Sequence, residues 1–374
     1  MKVQRIRLPE TDRVSWLVLD DDFCPVEPVR RYLCFRENLG RAPDTVRAEA
    51  HHLKLFWEYL RDERLDWTAI DVAHLAGFIT WLRRPDPPVA TTVPHAARRT
   101  DATIDQMLTA VHGFYDFHIR LGTVPDLPLH RFLAAPRSHY KPFLHGIAKA
   151  KPVRSRVVKV RHERRLPDTL TRDEVARLLD ACTRVRDRFL VHLLYDTGLR
   201  IGQALGLRHE DIAVEDGAIR VVPRDDNING ARAKARQPYT VHPSPAVLDL
   251  YLRYLVEELD ALVVEALPDY VFVNLWEGEI GRPLGYRAVR SLFRRLARKT
   301  GIAVTPHVLR HTRATEWLRD DGLALATVSR LLGHASIVTT NDTYIHLTVP
   351  DVRAHLDAAR RRAATPEAGV PDER

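Results

Sequence analysis

Apolar residues in the first third of the chain recur every three or four positions, the period of a helix with one buried face. In "DTVRAEAHHLKLFWEYLRDE", Val46, Ala50, Leu53, Phe56, Trp57 and Leu60 fall on one stripe, and Asp44, following Pro43, is the expected N-cap. The same period predicts helices over 26–39, 72–82 and 102–121, with 89–99 between the last two as a loop. A short extended stretch, "VSWLVLD" (14–20), precedes them. The expectation is a four-helix unit over 25–121 with no strand inside it.

The pattern then breaks. "PRSHYKPFLHGIAKAKPVRSRVVKVRHERR" (136–165) has no sustained apolar period and a single acid, Glu163. It reads as an interdomain linker and also as a basic strap lying along phosphates. The candidate DNA contacts in it are Lys141, Lys149, Lys151, Arg154, Arg156, Lys159 and Arg161.

Periodicity resumes at "LPDTLTRDEVARLLDAC", where Thr171 is placed to cap a helix carrying Asp173 and Glu174 in its first turn. "FLVHLLYDTGLRIGQALGL" reads as a buried helix broken at Gly198 and then resumed. Two strand-like runs, "AIRVVPR" (218–224) and "QPYTVHP" (237–243), flank "DDNINGARAKAR", which predicts a hairpin with a long tip. Further helices follow, including "VRSLFRRLARKTG". The predicted fold is mainly α with a small β-hairpin or sheet. Its divisions are an N-terminal arm (1–24), a helical domain (25–135), a basic linker (136–165), a second domain (166–365) and a disordered tail (366–374).

Charge narrows the partners. The 374 residues carry 57 Lys and Arg against 49 Asp and Glu, a formal charge of +8. That balance favours a polyanion. Cys24, Cys34 and Cys182 show no ligand or disulfide spacing, which fits a reducing compartment. With no signal-peptide pattern and no run of about 18 apolar residues, the expectation is a cytoplasmic protein that does not span a membrane.

The richest chemistry lies in "TPHVLRHTRATEWL". His307 and His311 stand four apart, a spacing found in zinc sites. A zinc protease helix, however, needs Glu directly after the first His, and here that position is Val308. His334 offers a third ligand, yet no carboxylate or Cys joins it at ligand spacing. A phosphate reading fits better. Thr305 as N-cap and Pro306 as first helical residue place His307 and Arg310 on one face, near the positive end of the helix dipole. Arg presents a planar fork matched to two phosphate oxygens. Arg200, just past a Gly inside an apolar helix pair, is costly to bury unless an anion or acid meets it.

In order, Arg200, the hairpin Lys234, "HVLRH", "LLGHASIVTTNDTY" and Tyr344 make the chain resemble the tyrosine recombinase (phage integrase) family over about 25–356. The hairpin resembles that of transposon-encoded members. The resemblance implies a SAM-like core-binding domain followed by an α+β catalytic domain. It also implies a site-specific recombinase of the integrase or transposase type, which cuts and rejoins duplex DNA through a 3′-phosphotyrosyl bond without metal, ATP or other cofactor. Tyr344 would be the nucleophile, Arg200 and Arg310 would hold the non-bridging oxygens, and Lys234 would protonate the leaving oxygen. His307 would act as base toward Tyr344, and His334 would hydrogen-bond the phosphate. His311 and His346 receive no role. The implied partners are double-stranded DNA and further copies of the chain, from dimer to tetramer, on the nucleoid. Type IB topoisomerase chemistry, or a DNA-binding member with weakened catalysis, are the alternatives. One position departs from the pattern. The family usually has an acid three residues after the first arginine, where this chain has Gln203, which accepts a hydrogen bond but brings no charge. Beyond Tyr344, "VPDVRAHLDAARRRAA" predicts a helix that docks either on a neighbouring subunit or on its own domain.

Overall fold

The computed structural model describes residues 1–7, 14–84, 99–133, 153–161, 168–233, 237–262 and 269–333. The chain divides into two units, Met1–Arg164 and Arg165–Arg374. In the first, the predicted stripes become α1 (Glu27–Asn38), α2 (Pro43–Asp62), α3 (Val72–Arg83) and α4 (Asp101–Arg120). Val46, Ala50, Leu53 and Phe56 of α2 are buried in a core shared with Leu75 and Phe78 of α3 and Leu108, Val111 and Phe114 of α4. Aromatic edges lock this core: Phe56 meets Phe78 at 5.1 Å and Tyr115 at 5.9 Å, and Trp57 meets Phe114 at 5.2 Å. Each such pair adds about 0.5–1.5 kcal/mol beyond burial.

The start of α2 differs from expectation. Ala42, not Asp44, is the N-cap, and Pro43 occupies the first helical position, where its missing N–H costs nothing. Asp44 then lies in the first turn, where its charge favours the dipole.

Two β ribbons also belong to this unit. β1 (Lys2–Arg7) pairs antiparallel with β2 (Val14–Leu19), and Val18 enters the helical core. The apolar residues of "KVQRIR", Val3 and Ile6, are three apart and out of step with a strand. β3 (His130–Leu133) pairs antiparallel with β4 (Val153–Arg156), and Val158 and Val160 are buried with the helices. The second half of the predicted linker is therefore part of the first unit. Its arginines had hidden the short alternation at Val158 and Val160.

His112, 3% exposed, lies 3.2 Å by Nε2 from the Val158 carbonyl. Burial first, then the Arg156 charge, push its pKa down to about 4, so the ring is neutral and Nε2–H donates. Between the ordinary histidine value and about 4, the unfolded chain takes up a proton that the folded chain refuses. Stability therefore falls as pH drops through that window, by about 1–3 kcal/mol for this group. His112→Gln, which keeps a donor but does not titrate, is expected to show a shallower fall of Tm between pH 7 and pH 5. The slope is reduced rather than abolished, because burial also lowers His51, His52 and His118. An unchanged slope would locate the acid sensitivity elsewhere.

In the second unit, α5 (Arg172–Ala181) opens on a reciprocal cap between Thr171 and Glu174. α6 (Val185–Thr197) is the central helix, burying Phe189, Leu190, Leu193 and Leu194. Its residue Arg184 at the N-cap has no acceptor to offer, and Glu258 substitutes for it by accepting from the N–H groups of Val185 and Arg186 at 3.1 and 2.8 Å. After α7 (Ile201–Ala204), β5 (Ile212–Ala213), β6 (Ala218–Val221) and β7 (Tyr239–Val241) form an antiparallel sheet in that order. The predicted hairpin is β6–β7, and β5 is too short for periodicity to reveal. α8 (Pro245–Tyr254), α9 (Tyr286–Thr300), α10 (Pro306–Arg319) and α11 (Leu325–Leu331) complete the described elements. No described helix is long and apolar enough to cross a membrane.

Candidate active site

Three helix ends build the site. α6 terminates on Gly198, whose φ of 63° is open to glycine at little cost. The turn leads at once to Arg200, the N-cap of α7, whose backbone N–H donates to Gln203 Oε1 at 2.8 Å. α10 starts as predicted, with Pro306 at its first position and Thr305 Oγ1 accepting from the Val308 N–H at 3.3 Å. One turn into α10, Arg310 turns inward and is only 2% exposed.

The Arg310 guanidinium donates through Nη1 to the Gly198 carbonyl at 2.5 Å and through Nη2 to the Leu332 carbonyl at 2.9 Å. These carbonyls end α6 and α11, where the intrahelical ladder leaves acceptors unsatisfied and the dipoles are negative. Both contacts are to neutral oxygens, so they orient the fork without cancelling its charge.

The charges of Arg200 and Arg310 both act on Tyr239, at the start of β7. Burial raises the pKa of its phenol, while the Arg310 charge, the Gln203 amide and the Arg200 charge oppose the rise. Gln203 Nε2 and Tyr239 Oη are both buried and reach no partner at hydrogen-bond geometry among the described residues. The amide thus leans toward the phenol without bonding it. Above the ring lies Gly333, with φ 61°, where a β-carbon would stand 2.6 Å from Tyr239 Cζ. The chain passes from the Leu332 carbonyl through this glycine directly to His334.

His307 is exposed in the first turn of α10, with its ring centroid 5.0 Å from that of His311. Burial, then His307 and Arg310, push His311 down to about 4, which keeps it neutral near pH 7. Lys234, His334 and Tyr344 lie outside the described residues, as do Lys141, Lys149 and Lys151; of Arg154 only the backbone is described. Lys159 and Arg161 are exposed. Arg156 is engaged internally, donating to the Asp105 carboxylate and to Thr109 Oγ1, each at 2.8 Å, and so pins β4 to α4.

Sequence reasoning passed over two features. Tyr239 lay in a strand-like run, and nothing local reveals that its ring abuts Gly333 or that the Arg200 and Arg310 charges act on its phenol. The other was legible: Arg287, Arg290, Arg294 and Arg298 repeat every three or four residues along α9, opposite its buried Val289, Leu292, Phe293 and Leu296. All four are exposed and none pairs with an acid among the described residues. No group of three His, Cys, Asp or Glu among the described residues is placed to hold a metal ion.

Arg200 at the N-cap of α7 and Arg310 one turn into α10, with His307 one turn before it, carry groups of the kind that bind tetrahedral anions. Comparison with known proteins gives the chain a family. Residues 168–350 match the phage integrase family and residues 31–122 match the phage integrase N-terminal SAM-like domain. The chain is 38% identical over 354 residues to transposase A from transposon Tn554 of Staphylococcus aureus, covering 94% of this chain and 96% of that one. It is 30% identical to tyrosine recombinase XerC of Pseudomonas syringae pv. tomato, over 86% of this chain and 91% of the relative. The fold matches that of the Tn1549 transposon integrase in complex with a circular intermediate DNA, with TM-score 0.61, 15% identity and coverage of 88% and 99%. The chain belongs to the phage integrase family, the tyrosine recombinases, and is a DNA strand transferase of that type.

Proposed function

We propose that this chain is a site-specific recombinase of the transposon-integrase kind, acting on double-stranded DNA as an oligomer. The observation that carries the reading is the inward turn of Arg310 onto two carbonyls, that of Gly198, two residues before Arg200, and that of Leu332, two residues before His334. Two fixed guanidiniums stabilise charge that builds on the non-bridging oxygens as phosphorus becomes five-coordinate. Tyr344 attacks the scissile phosphorus, His307 takes the phenolic proton, and Lys234 delivers a proton to the departing 5′-oxygen. The resulting 3′-phosphotyrosyl bond keeps the phosphodiester energy for rejoining. The exposed arginine stripe of α9, with Lys159 and Arg161, supplies cationic surface for the DNA backbone.

Covalent capture tests this. The full chain is incubated with nicked duplexes of randomised sequence, and protein-linked DNA is isolated under denaturing conditions and sequenced. Adducts enriched in one sequence motif are expected from the wild type and none from Tyr344→Phe. Adducts without sequence enrichment, together with relaxation of supercoiled plasmid by a monomer, would point to topoisomerase chemistry instead. Tight DNA binding with no adduct would mark a non-catalytic binder.

A further inference from the structure

The connection after β6 was expected to be a hairpin with a long tip. Its described part is fastened to the protein by side chains that the catalytic assignment does not use. Asn229 Nδ2 donates to the Leu205 carbonyl at 3.1 Å and to the Leu284 carbonyl at 3.0 Å, while its Oδ1 accepts from the Ala231 N–H at 3.0 Å. Leu205 is the C-cap of α7, the helix whose N-cap is Arg200. Asn227 Nδ2 donates to the Ala231 carbonyl at 2.9 Å, and its Oδ1 accepts from Arg208 Nη2 at 3.3 Å. The Ile228 N–H reaches Tyr270 Oη at 3.1 Å, and the Arg232 N–H reaches Tyr286 Oη at 3.4 Å.

Glycines make the approach possible. A β-carbon on Gly202 would overlap the Arg232 carbonyl oxygen and stand 2.6 Å from Tyr286 Oη, and one on Gly206 would stand 3.1 Å from Asn227 Nδ2. Ala231 and Ala233 are accordingly buried, 1% and 7% exposed. The backbone at 229–232 is thus seated on α7, within the same short helix that presents Arg200 and Gln203.

We infer that Asn229, seated on the end of α7 and supported by Gly202 and Tyr286, is a positioning residue for the proton donor to the leaving oxygen. The inference rests on the reading of Lys234 as that donor. Lys234 is two residues beyond Arg232, so chain geometry holds its Cα within about 7 Å of the Arg232 Cα. Seating the Arg232 backbone against Gly202 and Tyr286 fixes the point from which the chain leaves for Lys234 beside the helix that carries Arg200. In the step, the Tyr344 oxygen forms its bond to phosphorus as the bond from phosphorus to the 5′-oxygen breaks, and a proton passes from Lys234 Nζ to that oxygen.

A sulfur-for-oxygen substitution at the bridging 5′ position isolates this role. The leaving group is then a thiolate, a far weaker base that departs without a proton. Single-turnover cleavage is measured with a duplex recovered by covalent capture, in oxygen- and sulfur-bridged forms, for wild type, Lys234→Ala, Asn229→Ala and Tyr286→Phe. Asn229→Ala is expected to slow oxygen-bridged cleavage by on the order of 10²-fold, within the range for lost general-acid catalysis. On the sulfur-bridged duplex it should cut at close to the wild-type rate, as Lys234→Ala should. Tyr286→Phe, which keeps the ring and loses only the hydroxyl, should follow the same pattern with a smaller loss. It stands in should Asn229→Ala fail to fold. Rescue of Lys234→Ala without rescue of the Asn229 and Tyr286 variants would overturn the inference, as would full activity of these variants on oxygen-bridged DNA. Failure to rescue Lys234→Ala itself would overturn the reading of Lys234 on which the inference depends.

Discussion

Arg310→Ala is expected to lower single-turnover cleavage by at least 10²–10³-fold, the typical cost of removing one preorganised donor. It is also expected to destabilise the second unit by about 3 kcal/mol. The two losses have separate causes. Cleavage suffers because a guanidinium aligned by the Gly198 and Leu332 carbonyls is in place before charge develops, so no reorganisation is needed at the moment of reaction. Stability suffers because alanine leaves two carbonyls in a buried site without their donors, at about 1–3 kcal/mol each, together with the space of the largest fully buried side chain among the described residues. Relief from desolvating a charge offsets part of this. Arg310→Lys separates the terms. An ammonium keeps the charge and reaches one carbonyl, so stability should fall less than in the alanine variant. Cleavage should fall nearly as far, because the planar two-point contact is gone. Rates are compared at a temperature where melting curves show each variant folded. An alanine variant that cuts within tenfold of wild type would remove Arg310 from the phosphate clamp.

The parts of this site legible in the sequence are those whose chemistry is local. Thr171, Thr305, Pro306 and Gly198 each act within one turn of backbone, so their cap and break positions could be read directly, and α1, α3 and α4 end within a residue or two of their apolar stripes. Arg200 was marked as a charge in apolar surroundings, and Arg310 by sharing a face with His307 near the start of its helix. What escaped depends on partners far along the chain. β1 and β4 lack a clean alternation and exist because β2 and β3 pair with them. The asparagines at 227 and 229 read as loop formers, since the carbonyls they serve belong to residues up to 55 positions away. Tyr239 joins this group only because Gly333 abuts its ring and the charges of Arg200 and Arg310 reach its phenol. Local rules place the arginines, and long-range packing decides what they face.

Gly333→Ala carries the second large effect, through backbone rather than charge. Two penalties coincide. With φ at 61°, an alanine takes on the left-handed strain of about 1–2 kcal/mol. Its methyl also stands 2.6 to 2.8 Å from Cζ, Cε1 and Oη of Tyr239, where the rigid ring gives way only by moving β7 or the end of α11. Overpacking of that kind costs typically 1–3 kcal/mol. The expected sum is about 3 kcal/mol, a Tm decrease of roughly 6–12 °C for a unit of this size. Catalysis should drop further than the folded fraction explains, because displacing this turn shifts the Leu332 carbonyl that aligns Arg310. A double-mutant cycle with Tyr239→Leu distinguishes the two penalties. Removing the ring should recover the packing part and leave the strain, so the pair should be less destabilised than the sum of the singles by about 1–2 kcal/mol. Strict additivity would mean that Tyr239 does not abut Gly333 and that the glycine is required for its conformation alone.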